Sequence, residues 1–223
     1  DRDVTGVQTC ALPILFSFTA EDGGKDCFLN YHKEDGRTVT TRVFDGVEMG
    51  ASYSLQAANL DGTDSILFLA AIDYRGMPFG SGAWEIYSWD GNRFLPVDMK
   101  PVTEGVQAEI LEQSPGSDPV LALSFPESRS KGEHEVSREV RKIPLTKYDE
   151  EGYRTWGQDA VSKIMTEMNF VSGETLEGRG ANSAPLLETT EIVFITLPNA
   201  AATVTRYYQY EQGEWIPVRE DIE

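Results

Sequence analysis

The sequence predicts a mainly β fold with one packed α-helix, on three observations. Short runs of β-branched and aromatic residues alternate with polar ones, Asp-Gly and Glu-Asp-Gly turns separate them, and one strand-turn-strand pattern occurs twice. In chain order, residues 26–31 and 37–44 flank Glu34-Asp-Gly36 as a hairpin, and residues 52–60 and 65–72 flank Asp61-Gly62. Residues 83–89 alternate and turn at Asp90-Gly-Asn92 into 93–97. Residues 106–110 and 120–125 flank the turn-rich 114–119, and Val136, Val140 and Ile143 favour a strand because Pro144 cuts a helix short. Residues 191–197, 203–210 and 214–218 supply the last three strands, with Gln212-Gly213 between the final two. The exception is 155–169. There Ala160, Val161, Ile164, Met165 and Met168 fall at helical spacing behind a capping box, Thr155-Trp-Gly-Gln158, so the spacing predicts a helix.

Composition narrows the function classes. The 223 residues are 40% hydrophobic and 10% aromatic, enough to exclude disorder despite a net charge of -18. That charge repels phosphate backbones, so nucleic acid is not the expected partner. No apolar run approaches the roughly 20 residues of a membrane-spanning helix. The polar stretches 126–135 and 172–185 are too short for interdomain linkers, so 15–223 reads as a single β-rich domain.

Residues 1–14 stand apart. Val4 to Ile14 (VTGVQTCALPI) looks like the conceptual translation of a DNA-sequencing adapter, which places the natural reading frame from about Leu15. On that reading the apolar run 11–18 is no signal peptide, and Cys10 drops out, leaving Cys27 without an intramolecular disulfide partner. An N-terminal part, with a signal, anchor or further domain, is then expected to be missing.

The repeat covers residues near 59–97 and 191–218. Each copy reads as hydrophobic strand, loop, aromatic strand, acidic-Gly turn, then aromatic-x-Pro-Val, ending at Pro96-Val97 and Pro217-Val218. Such units predict an antiparallel meander or propeller-blade-like arrangement, with too few strands for a full propeller. Asn59-Leu-Asp-Gly-Thr-Asp-Ser-Ile66, followed by strand and aromatic turn, resembles a degenerate FG-GAP repeat of integrin-type and bacterial surface proteins. In intact members of that family the loop carboxylates hold calcium. The resemblance therefore implies an extracytoplasmic bacterial module with Asn59, Asp61 and Asp64 as candidate metal ligands and calcium as candidate cofactor. The leading aspartate of the family loop is absent here, and Asp-Gly is also an ordinary hairpin turn.

Catalytic motifs are sparse. His32 adjoins a turn and His134 lies between Glu133 and Glu135; neither belongs to an H-E-x-x-H helix, and there is no G-x-S-x-G elbow. Gly80-Ser-Gly82 and Gly178-Arg-Gly180 are not phosphate-binding loops. The best binding candidates are the rings of Tyr74, Phe79 and Trp84, beside flexible glycines where they could stack on a sugar or peptide, or else cap the core. The preferred reading is an extracytoplasmic binding or sensor module without catalysis of its own, its partner a small molecule, glycan or protein. The alternatives are a carbohydrate-acting hydrolase with a carboxylate pair and a purely structural spacer. If Asn59–Asp64 is a metal loop, millimolar calcium at a hundredfold over its Kd stabilises the protein by about 2.7 kcal/mol. A thermal melt then rises by roughly 5–10 °C, and Asp61→Ala removes the rise.

Overall fold

A computed structural model describes residues 16–21, 26–45, 52–60, 66–73, 82–111, 120–125, 140–144, 161–175, 183–195 and 200–223. They form four antiparallel sheets, each a meander of consecutive strands. The first holds β1 (Phe16–Glu21), β2 (Asp26–His32) and β3 (Thr38–Asp45). The second holds β4 (Ser52–Ala58), β5 (Leu67–Asp73), β6 (Gly82–Trp89) and β7 (Phe94–Pro96). A single helical turn, α1 (Lys100–Thr103), leads to the third, made of β8 (Gln107–Leu111), β9 (Val120–Ser124) and β10 (Val140–Pro144). The fourth holds β11 (Val161–Val171), β12 (Leu186–Ile195), β13 (Ala200–Glu211) and β14 (Glu214–Ile222). The mainly β class holds, with no closed barrel among the described residues.

The second sheet is covered on both faces. β5 reads Leu67-Phe-Leu-Ala70, four consecutive buried residues, as a strand with two covered faces should. Phe68, Ala70 and Ile72 point into a core shared with Cys27, Leu29 and Val43 of the first sheet. Leu67 and Leu69 point the other way, into a core shared with Met168, Leu187, Tyr208 and Trp215 of the fourth. Each fully buried Leu or Phe contributes about 1.5–3 kcal/mol. The first core is rich in rings: Phe16 lies 4.8 Å from Tyr31 and 4.5 Å from Phe68, and Tyr31 lies 4.6 Å from Trp89. Phe44, at φ 56°, is the extra residue of a bulge in β3, and its N–H donates to Glu85 Oε2 at 3.4 Å. The Tyr87 hydroxyl donates to the same oxygen at 2.5 Å. Burial first, then Glu85, holds that phenol far above its ordinary range.

The predicted helix over 155–169 is corrected by β11: residues 161–171 are a strand, and 155–160 lie outside the described residues. The helical spacing has a physical cause. Met165 pairs with Glu191 and Glu167 with Thr190, so Thr166 is an extra residue. Before this bulge the inward face carries Val161, Lys163 and Met165, opposite Ile195, Val193 and Glu191. After it the same face carries Met168 and Phe170. Inserting one residue turns a step of two into a step of three, and Met165 to Met168 imitates a helix. The helical turn at Lys100–Thr103, which Pro101 starts, went unpredicted.

The repeat has a structural counterpart. Its two copies coincide with β5–β7 and β12–β14, the last three strands of the two four-stranded sheets. Trp89 pairs across the turn with Phe94, rings 4.8 Å apart, as Tyr210 pairs with Trp215 at 4.6 Å. The second turn has only two residues, Gln212 (φ 53°) and Gly213 (φ 87°), the type I′ geometry that suits strand twist. Deleting Thr166 is expected to abolish cooperative thermal unfolding, because Val161, Lys163 and Met165 would turn outward. Thr166→Val, which keeps the register, is expected to shift the midpoint by only a few degrees.

Candidate functional site

One face of the β11–β14 sheet covers two cores. At one end Leu187, Tyr208 and Trp215 pack against the second sheet. At the other, Val193, Ile195, Ala202 and Val204 pack against Leu121 and Leu123 of the third and against Val106, just before its first strand. Between them the inward positions are polar: Thr189, Glu191 and Arg206 are all buried, and Glu220 pairs with Arg206 across β13 and β14. Isolated charges in an apolar interior are costly, so each demands a partner.

Glu191 has its partners. It accepts a hydrogen bond from the Val106 N–H at 2.9 Å and lies 3.7 Å from Lys163 Nζ. Lys163 also donates to the Val106 carbonyl. The chain reaches this carboxylate through Gly105, at φ 65°, where a Cβ would lie 2.7 Å from Glu191 Oε1. Only glycine admits both the conformation and the approach. Two further ties hold the sheets together. Gln56 donates to Asn169 Oδ1 at 2.8 Å and accepts from the Phe170 N–H at 2.6 Å, and Trp215 Nε1 donates to the Asp98 carbonyl at 3.0 Å.

Arg206 is different. It is 2% exposed, its Nε lies 4.0 Å from Glu220 Oε1, and its Cζ sits 4.9 Å from the Tyr208 ring centroid. Nε and Nη1 of Arg206 and the hydroxyl of Tyr208 are buried without a hydrogen-bond partner among the described residues. Thr189 stands near the phenol but outside hydrogen-bonding geometry. Both orphaned side chains line one cleft of about 510 Å³. Its walls are Asp98, Lys100, Pro101 and Glu104 at α1, facing Gly213 to Pro217 of the final hairpin. Asp98, Lys100, Glu104 and Glu214 are exposed at the rim. Asp98 accepts from the Lys100 N–H at 2.9 Å, and Glu104 pairs with Lys100 at 3.6 Å.

No family model, curated protein or solved structure matches this chain.

Of the sequence-predicted residues that the structure describes, neither Asn59 nor Trp84 lines this cleft. Trp84 packs, partly buried, into the core between the second and fourth sheets, with its ring 2.9 Å from where a Cβ on Gly82 would stand. Tyr74, Phe79, Asp61, Asp64 and His134 lie outside the described residues. Asn59 is exposed just after β4. No group of three or more His, Cys, Asp or Glu side chains suited to a metal forms among the described residues. His32 lies between Ser17 Oγ (2.8 Å from Nε2) and Thr38 Oγ1 (3.2 Å from Nδ1), on exposed strand surface. Cys27 is fully buried, and burial followed by the Asp26 charge pushes its thiol up, away from nucleophilic character.

Sequence reasoning missed Arg206, although a signal existed. Ala202, Val204, Arg206 and Tyr208 occupy every second position, which puts a charge on the inward face of an alternating strand. Burial pushes the Tyr208 phenol up to about 12; Glu220 and Glu191 act the same way, while Arg206 and Thr189 oppose. An unfolded tyrosine ionises near 10, so the folded protein holds this proton longer. The resulting stability is present in full below pH 10 and is lost as pH rises toward 12, about 2–3 kcal/mol in all. Tyr208→Phe is therefore expected to flatten the fall of the melting temperature over that pH interval.

Proposed function

We propose that this protein is a binding module without catalysis of its own, and that its ligand enters the cleft between α1 and the β13–β14 hairpin. The observation that carries this reading is the floor of that cleft, where hydrogen-bonding groups of Arg206 and Tyr208 stand unanswered beside the Trp215 ring. Concave sites with apolar walls and a few placed polar groups are the usual form of ligand pockets. Trp215 and Pro217 supply flat apolar surface, and the Trp215 indole N–H is already engaged by Asp98, which holds the ring in place. The FG-GAP-like loop pattern supports an extracytoplasmic setting for such a module.

A second reading, the carbohydrate-acting hydrolase, draws on Asp98, Glu104 and Glu214 at the same cleft. A glycosidase needs one carboxyl shielded from water to act as general acid. All three are exposed, and two are engaged locally by Lys100, which favours binding over catalysis. One experiment separates the readings. Soluble glycans and peptides are screened by intrinsic fluorescence, and each is recovered afterwards for analysis. A binding module shows a saturable signal that Trp215→Phe reduces, and returns the compound intact. Release of reducing ends, lost in Asp98→Asn or Glu214→Gln, would establish the hydrolase instead.

A further inference from the structure

The chemical class of the ligand can be inferred, and this step rests on the cleft being a binding site. We propose that the cleft takes an anionic group, a carboxylate or an oxoanion, with Arg206 as its principal anchor and the Tyr208 hydroxyl as a second donor. Three buried side-chain polar atoms lack partners among the described residues, and all three belong to two residues lining this one cleft. Elsewhere the same sheet face answers its charges: Glu191 has the Val106 N–H and Lys163, at 2.9 and 3.7 Å. A guanidinium carries five donors and stays charged at any physiological pH. Glu220 offsets that charge from 4.0 Å, but at this distance it accepts no hydrogen bond from Nε. What is missing is therefore an acceptor.

The surroundings define its character. The aromatic face of Tyr208 packs under the guanidinium, which holds Arg206 in place. Lys100 adds positive charge at the rim, while Asp98, Glu104 and Glu214 repel a second negative group. The cleft thus suits a ligand with one anionic group on an otherwise neutral or apolar body, and disfavours polyanions. A buried guanidinium completed by an arriving anion forms charge-assisted hydrogen bonds, roughly twice as strong as neutral ones.

The test uses the full chain in thermal melts at constant ionic strength, with chloride replaced stepwise by acetate, succinate, sulfate or phosphate. A saturable rise in melting temperature is expected with at least one of them. Acetate or succinate acting alone assigns a carboxylate ligand, and sulfate or phosphate acting alone assigns an oxoanion. Arg206→Met is expected to weaken the effect tenfold or more, and Arg206→Met with Glu220→Gln, which leaves no unpaired carboxylate behind, is expected to weaken it equally while keeping the fold. Tyr208→Phe is expected to weaken it severalfold, and Glu220→Gln to strengthen it by removing a repelling carboxylate. Equal stabilisation of wild type and Arg206→Met, or no stabilisation by any anion, overturns the proposal. Equal stabilisation of wild type and the Arg206→Met/Glu220→Gln protein overturns it in the same way, so the test decides whether or not the single variant folds. A neutral ligand bound through Trp215 and indifferent to Arg206→Met would overturn the anion while leaving the binding module standing.

Discussion

The β11–β14 sheet must use one face to close two hydrophobic cores, and the rest of the molecule is arranged around that requirement. Its inward side chains meet the second sheet at one end and the third at the other. Where it passes from one to the other, apolar side chains give way to the buried Thr189, Glu191 and Arg206, with Glu220 opposite Arg206. Polar residues at such a seam cost desolvation unless they are paired, so the seam becomes the place where hydrogen bonding is decided.

The two halves of the seam are settled differently. On the Glu191 side the carboxylate is met by the Val106 N–H and by Lys163, and Gly105 lets the backbone come close enough. That contact fixes where the third sheet begins relative to the fourth. On the Arg206 side the fold supplies a counter-charge but no hydrogen-bond acceptor, and the surface opens there into a cleft. A rigid, closed contact and an open, unsatisfied one therefore lie on adjacent strands, and the first holds the second in position.

Bulges make this geometry available. Thr166 in β11 and Val218 in β14 each add one residue to a strand at the edge of the sheet. The first keeps Lys163 and Met168 on one face, although they stand five residues apart. The second lets both Pro217 and Glu220 face inward, opposite Tyr208 and Arg206. Pro217, which has no N–H to give to a ladder, is tolerated because β14 is an edge strand among the described residues.

Much of the fold was legible from local pattern alone. Alternation and Asp-Gly turns located the strands from 26 to 97, 106 to 125 and 191 to 218, because both signals act within a few residues of chain. The aromatic pairs Trp89–Phe94 and Tyr210–Trp215 were legible as a repeat because each spans a single short turn. The stretch 161–171 was misread because a bulge is a property of pairing, and Thr166 has no feature that marks it without Glu191 and Thr190 opposite. The sequence leaves Trp84 between stacking on a ligand and capping the core, because its glycine neighbours suit either; the packing of the second and fourth sheets places it against their shared core. Whether Arg206 is answered or left open depends on which groups distant in the sequence reach it, and only the packing of four separate meanders decides that.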